Sequence, residues 1–254
     1  MIRNIIYIFL GLFIFSCEKY EPDIGDTQVT IHDAAFFDNS TIDVSWEGND
    51  YASDYSYRLQ PLDYSDTVYT YTSWSEWSTD TSVTLTYLDE GNYNFYVKSR
   101  FNIDSEEGSD TIFFTIDAID GPALRMYPLY QAVSAGSSCA LYIYVEDVVD
   151  LMSFQVDVSY NTEFIADLSI NAVSLLSNSS TFFADPEYDG GVIRIITSPE
   201  NFISINGDGA VAKLTLTATE SDTLHFLQSS VFKDSLNHSI EILERVEGII
   251  EVVE

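Results

Sequence analysis

Residues 136–161 read GSSCALYIYVEDVVDLMSFQVDVSYN, and the reading of this stretch decides the fold of the C-terminal half. Cys139, Leu141, Ile143 and Val145 recur at every second position, with Ala140, Tyr142 and Tyr144 between them. Farther on, Phe154, Val156 and Val158 alternate with Ser153, Gln155, Asp157 and Ser159. Successive side chains on a strand point to opposite faces, so each run has one face for a core and one for something else. The spacing predicts two strands joined by an acidic connection, Glu146-Asp147-Val148-Val149-Asp150, inside a sandwich of sheets. Cys139 shares the parity of Leu141 and Ile143, which places it in the core as a small buried hydrophobe.

The same patterning extends to both sides. Residues 28–118 hold strand signals at short spacing: Thr41–Trp46, Tyr55–Leu59, Ser82–Thr86, Leu88–Val97 and Thr111–Ile116. Ile42, Val44 and Trp46 share one face. Tyr93, Phe95 and Val97 share another, after the turn Glu90-Gly91-Asn92. Ile119-Asp120-Gly121-Pro122 marks a short boundary, because Gly-Pro stops a strand and sets a turn. In residues 122–254, Leu124–Leu129, Phe182-Phe183, Val192–Thr197, Ala210–Thr219 and Thr223–Val231 read as strands, while Asn161–Ala172 is a bulge or a short helical turn before one. No segment of useful length has helical period, and no repeat of 20–50 residues is visible. The expected fold is all-β, two β-sandwiches in tandem.

Composition agrees. A chain of 254 residues, 46% hydrophobic, is long enough for two domains with real cores. Tyr (17) and Phe (16) are abundant while Lys and Arg together number 10, which favours sheets. A formal net charge of −31 repels phosphate backbones and makes nucleic acid a poor partner.

The first residues carry the address. Arg3 precedes an apolar run, Ile5–Phe15, too short to span a membrane and of the length of a secretory signal. Ser16-Cys17 closes it and resembles a bacterial lipobox, with Ile14 where Leu is usual. The resemblance implies a signal peptide over 1–16, lipidation of Cys17 and a lipid anchor to the membrane, and is preferred to the alternative of an ordinary signal peptide with an incidental Cys. Residues 17–27 form an acidic tether whose Glu18, Glu21, Asp23 and Asp26 resemble tails that direct lipoproteins to the outer face of the outer membrane.

Several further pieces, taken in order, resemble a cohesin domain over 122–254. They are the 136–161 stretch with its Val145-Glu146-Asp147-Val148 and Ser159-Tyr160-Asn161, then Asp189–Ile196, Gly207–Leu216, Phe232–Asn237 and Gly248–Val252. The last two resemble the closing hairpin of that family. The resemblance implies a nine-stranded jelly roll that docks a secreted dockerin-type module on one sheet face. It places the contacts on strands 152–160 and 192–198. Parity then selects Ser153, Gln155, Asp157, Arg194, Ile196 and Ser198 as outward residues, with Ile196 an exposed aliphatic anchor. The first sandwich resembles fibronectin type III, nearest its triple-tyrosine variety, on Tyr57-Arg58-Leu59, Trp74–Ser78 and Leu88–Arg100. That implies a spacer, with Tyr93 bonding back across its corner.

Trp74-Ser75-Glu76-Trp77-Ser78 shares its letters with the cytokine-receptor box, in which Trp rings stack between Arg side chains. Here it precedes the Tyr93 strand and no Arg ladder is in view, so that reading is set aside. Two others stay open: a sugar-stacking platform, or aromatic cover for the sandwich edge. A glycan-binding protein using Trp74, Trp77, Tyr142 and Tyr144 is thus the alternative to protein docking.

Catalytic signatures are not found. His32, His225 and His238 lie far apart with no metal-ligand spacing, and there is no G-x-S-x-G elbow or P-loop. A hydrolase would need two carboxylates at a fixed gap across a cleft. Calcium is the plausible ion for so many oxygen ligands, at Glu146-Asp147-Asp150 or at Asn206-Gly207-Asp208-Gly209. The second lacks the remaining ligands of an EF-hand loop and reads better as a hairpin turn. No cofactor and no enzyme activity are expected.

Overall fold

The computed structural model describes residues 28–31, 36–37, 39–50, 52–63, 73–101, 108–173, 180–186, 189–199 and 204–253. The signal segment, Cys17, the acidic tether and His32 lie outside the described residues. The N-terminal strands are β1 (Gln28–Ile31), β2 (Phe36–Phe37), β3 (Ile42–Glu47), β4 (Asp54–Pro61), β5 (Ser82–Leu85), β6 (Gly91–Arg100) and β7 (Gly108–Ile116). Then follow β8 (Ala123–Tyr127), β9 (Tyr130–Ser134), β10 (Ser137–Ser159), β11 (Ile165–Ala172), β12 (Ser180–Asp185) and β13 (Val192–Pro199). The last are β14 (Ile205–Ala218), β15 (Asp222–Phe226), β16 (Val231–Asp234), β17 (Ser239–Ile240), β18 (Glu244–Val246) and β19 (Gly248–Val253). The described residues are all-β and contain no helix.

In the first half, a three-stranded sheet (β1-β3-β5) faces a four-stranded one (β2-β7-β6-β4). Alternation puts Ile42, Val44 and Trp46 between them, with Leu59, Leu85, Tyr93, Phe95 and Phe114. Each fully buried apolar side chain contributes roughly 1.5–3 kcal/mol. The Tyr93 hydroxyl donates to the Asp89 carbonyl at 2.6 Å, closing the corner before β6.

The 136–161 stretch is one strand, not two. β10 runs unbroken for 23 residues, and the acidic connection lies inside it. The reason is a series of bulges. Pairing register shifts between Val145 and Val148, between Val148 and Leu151, and between Leu151 and Ser153. Each bulge inserts an extra residue, so inward side chains step by three instead of two: Val145, Val148, Leu151 and Phe154 are all buried. Asp147 (φ 50°) and Asp150 (φ 56°) adopt the left-handed conformation that absorbs the insertions. Before the bulges β10 pairs with β14 and β8; after them it pairs with β13, β16 and β15. One strand therefore serves both layers of the jelly roll, and the core between them holds Cys139, Leu141, Ile143, Phe154, Val156, Val158, Ile193, Ile195, Leu214 and Phe232.

Three other expectations change. The described residues of the second half form twelve strand segments, β8 to β19, where nine are implied; some are very short, β17 of two residues and β18 of three. Thr223–Val231 is two strands, parted by a turn in which the Ser230 amide donates to the Leu227 carbonyl at 3.0 Å. The closing hairpin is not made between 232–237 and 248–252: β16 turns back onto β17, whereas β19 pairs with β15 and β9.

The two halves are bonded at their joint. The Leu129 amide donates to Asp89 Oδ1 at 2.9 Å across the joint, while on the first half's own side the Ala118 amide donates to Glu90 Oε1 at 2.8 Å. Tyr87 stacks on Tyr130 with centroids 5.2 Å apart and 12° between planes.

Candidate docking face

Strands β12, β13, β10 and β16 lie side by side in that order, with β17 beyond β16. Register aligns Phe183 with Ile196, Ile196 with Gln155, and Gln155 with Val231. Directly opposed residues share a face, so these four form one row across four strands, about 14 Å long at the usual strand spacing. Three of the four are large and apolar, and all three are open: Phe183 is 55% exposed, Ile196 38% and Val231 41%. Phe183 and Val231 are not among the outward residues expected from sequence. Phe182-Phe183 carries strand parity, but only its pairing with β13 shows which Phe joins Ile196.

The neighbouring row carries charge. Asp185, Arg194 and Asp157 are aligned across β12, β13 and β10. Asp157 is a correction: expected outward, it is completely buried. Arg194 grips it bidentately, with Nε to Oδ1 and Nη2 to Oδ2 both 2.7 Å. Ser229 Oγ donates to Oδ2 at 2.5 Å, and Gln155 Nε2 donates to the same oxygen at 2.9 Å. The turn before β16 brings Ser229 and Ser230 over the carboxylate, and the Asp157 amide donates to Ser230 Oγ at 3.0 Å. Burial pushes the carboxyl up, but the bonds from Arg194, Ser229 and Gln155 outweigh it and hold the pKa below the usual value. Asp157 is thus the buried hub that orients Gln155 and Arg194, and it is not itself a contact. Ser153 is half-buried beside Lys233, whose Nζ donates to Ser239 Oγ at 2.8 Å. Ser198 pairs with Thr181 through the backbone, and its side chain lies outside the described residues.

The glycan-platform residues fall elsewhere. The Trp74–Ser78 segment runs along the free edge of β4: the Ser75 amide donates to the Tyr57 carbonyl at 2.8 Å and the Ser78 amide to the Tyr55 carbonyl at 2.9 Å. The segment covers that sheet edge. The ladder set aside on sequence grounds is present. Arg58 lies 5.1 Å from the Trp74 centroid and Lys98 4.5 Å; Lys98 lies 4.7 Å from Trp77 and Arg100 4.2 Å. Arg58 comes from β4 opposite Tyr96, and Lys98 and Arg100 follow Tyr96 on the same face of β6, so pairing of two distant strands assembles it. Tyr142 and Tyr144 are half-buried, with Lys213 Nζ 5.3 Å from the first ring and the Arg125 guanidinium 4.4 Å from the second. Cations lie over all four rings, and of the four only Trp74, 37% exposed, is open.

The two candidate calcium loops meet. The Asp147 amide donates to Asp208 Oδ1 at 2.7 Å, and the Asp150 amide donates to Asn206 Oδ1 at 2.9 Å. These side chains satisfy amides that the bulges free from the ladder. Among the described residues no group of three or more His, Cys, Asp or Glu is placed to hold a metal.

The architecture defines a class: an acidic jelly-roll sandwich with an apolar row laid bare on one sheet. Residues 130–252 match the family model described as Cohesin domain, and it is for this stretch that the cohesin fold is shown. Among solved structures, a non-cellulosomal cohesin from Archaeoglobus fulgidus is 18% identical, covering 52% of this chain and 91% of its own, with TM-score 0.43. The sixth cohesin of scaffoldin B from Acetivibrio cellulolyticus, solved with a dockerin, is 15% identical over 53% of this chain and 100% of its own, with TM-score 0.46. The cohesin module of a family 33 glycoside hydrolase from Clostridium perfringens is 17% identical over 52% and 100%, with TM-score 0.43. No curated protein matches the chain.

Proposed function

We propose that this chain is a non-catalytic cell-surface lipoprotein whose cohesin domain docks another secreted protein, of dockerin type, on the β12-β13-β10-β16 face. The observation that carries it is the open row Phe183–Ile196–Val231. A chain of net charge −31 leaves three large apolar side chains in line on one sheet, with Gln155 among them and a charged row beside them. An apolar centre with a polar rim is the anatomy of a protein interface. The asymmetry of the row, apolar at three positions and amide at the fourth, sets which partner fits. The cohesin family is a protein-binding module, which supports docking over chemistry.

Titration of the full chain against a panel of dockerin modules by calorimetry tests the reading. At least one should bind, and Ile196→Glu combined with Val231→Glu should weaken it at least a hundredfold. Binding untouched by both charges would remove this face. The anchor is tested separately: labelled palmitate should enter the wild type and not Cys17→Ala, and protease added to intact cells should digest the protein.

A further inference from the structure

The joint between the two halves contains a cleft of about 560 Å³, within the size range of small-ligand sites. It is distinct from the docking face. Tyr87, Thr86, Tyr130, Asp222, Thr223 and Glu251 line it, so both domains contribute walls. Tyr87 is the unusual member. Its φ of 57° puts a bulky aromatic residue in the left-handed region, where such side chains are rare and cost energy. The stack on Tyr130 covers one side of its ring, yet the residue is 45% exposed. The backbone is held in a costly conformation, and the outcome is an aromatic surface presented at the mouth of a cleft. The Tyr130 hydroxyl donates to the Glu251 carboxylate, which fixes both the lower ring of the stack and the acid beside it. Asp222 is fixed as well, since the Asn161 amide donates to its Oδ2 at 3.0 Å and the Thr223 amide to its Oδ1 at 2.8 Å.

The chemistry of this lining selects a ligand class. Every charged group in it is a carboxylate, so an anion is repelled. Carboxylates and threonine hydroxyls accept from, and threonines donate to, a ligand rich in hydroxyls. An open Tyr face takes the apolar C–H face of a pyranose or furanose ring. We propose that the cleft between the two domains binds a neutral saccharide unit, stacked on Tyr87 and hydrogen-bonded by Glu251, Asp222 and Thr223. This site is independent of the docking proposal: a surface protein that holds a partner on one face would hold a glycan at its waist.

Affinity electrophoresis of the full chain in gels containing a β-glucan, an arabinoxylan or a galactomannan tests this. At least one gel should retard it. Tyr87→Gly removes the ring and its stack on Tyr130 while supplying the residue that favours this φ, so the chain should stay folded by circular dichroism and the retardation should fall at least tenfold. Glu251→Gln keeps the shape and an acceptor for Tyr130, and should weaken retardation severalfold. Ile196→Glu, on the docking face, should be retarded like the wild type. No retardation in any neutral gel overturns the proposal. So does equal retardation of wild type and both cleft variants, or retardation only by polygalacturonate or chitosan.

Discussion

Asp157 shows how one buried residue orients a surface that it does not itself present. It is fully buried, and its two oxygens take the Arg194 fork, the Ser229 hydroxyl and the Gln155 amide. Asp157→Asn keeps the shape but removes the charge, leaving Arg194 facing an amide. Because the Arg194 side chain keeps 19% exposure, the expected cost is about 2–3 kcal/mol and not the upper end for a buried pair. Urea denaturation measures it, and in the titration that tests the proposed docking the loss should exceed what instability explains. Its carboxyl pKa is depressed, so its stabilisation is complete above the unfolded value near 3.8 and is lost as pH falls through the lower folded value. A second single-residue test is Tyr93→Phe. It removes the 2.6 Å corner bond from a buried site and should cost about 1–2 kcal/mol in the same measurement.

β10 carries the architecture, and its bulges are where the strand passes from one sheet to the other. Their freed amides are met by Asp208 and Asn206. Asn206→Ala and Asp208→Ala should each cost about 1 kcal/mol, seen as a fall in Tm. Because these side chains are spent on amides, millimolar calcium or a chelator should leave Tm unchanged. A calcium-dependent rise would reopen the acidic loops as a site. In the first domain, the Trp74–Ser78 segment is to β4 what a paired strand would be. Lys98 touches both Trp rings, so Lys98→Ala should cost about 1–2 kcal/mol and loosen the segment, measurable as faster amide exchange at Ser75 and Ser78.

Between the domains, acid and base are set close. Arg125 and Glu146 form a buried ion pair near Glu90 and Asp208, in a groove bounded by both halves. Burial raises the Glu146 pKa to about 7, against the opposing pull of Arg125. Burial raises that of Glu90 too, against its bonds from the Ala118 and Ile119 amides. An acid whose folded pKa is raised binds its proton more readily folded than unfolded. Stability should therefore increase as pH falls from about 7 toward the unfolded value of 4.5. Part of any such rise comes from relief of the net charge of −31, so the comparison with Glu146→Gln isolates the residue: its Tm should climb less over that range.

Alternation is a local property, since each side chain's direction follows from the one before, and so the strands, the inward parity of Ile42-Val44-Trp46 and Cys139-Leu141-Ile143, and the cohesin likeness were readable along the chain. The bulge signal was also there, in the three-residue spacing of Val145, Val148, Leu151 and Phe154, though its acidic filling looks like a loop. What stands beside what across strands is not local. Phe183, Ile196, Gln155 and Val231 become a row, and Arg58, Lys98 and Arg100 become a ladder with Trp74 and Trp77, only through pairing registers set by bulges and turns tens of residues away. The burial of Asp157 belongs to the same kind of fact. Parity alone points it outward, and only the fold lays Arg194 and the Ser229 turn over it and buries it.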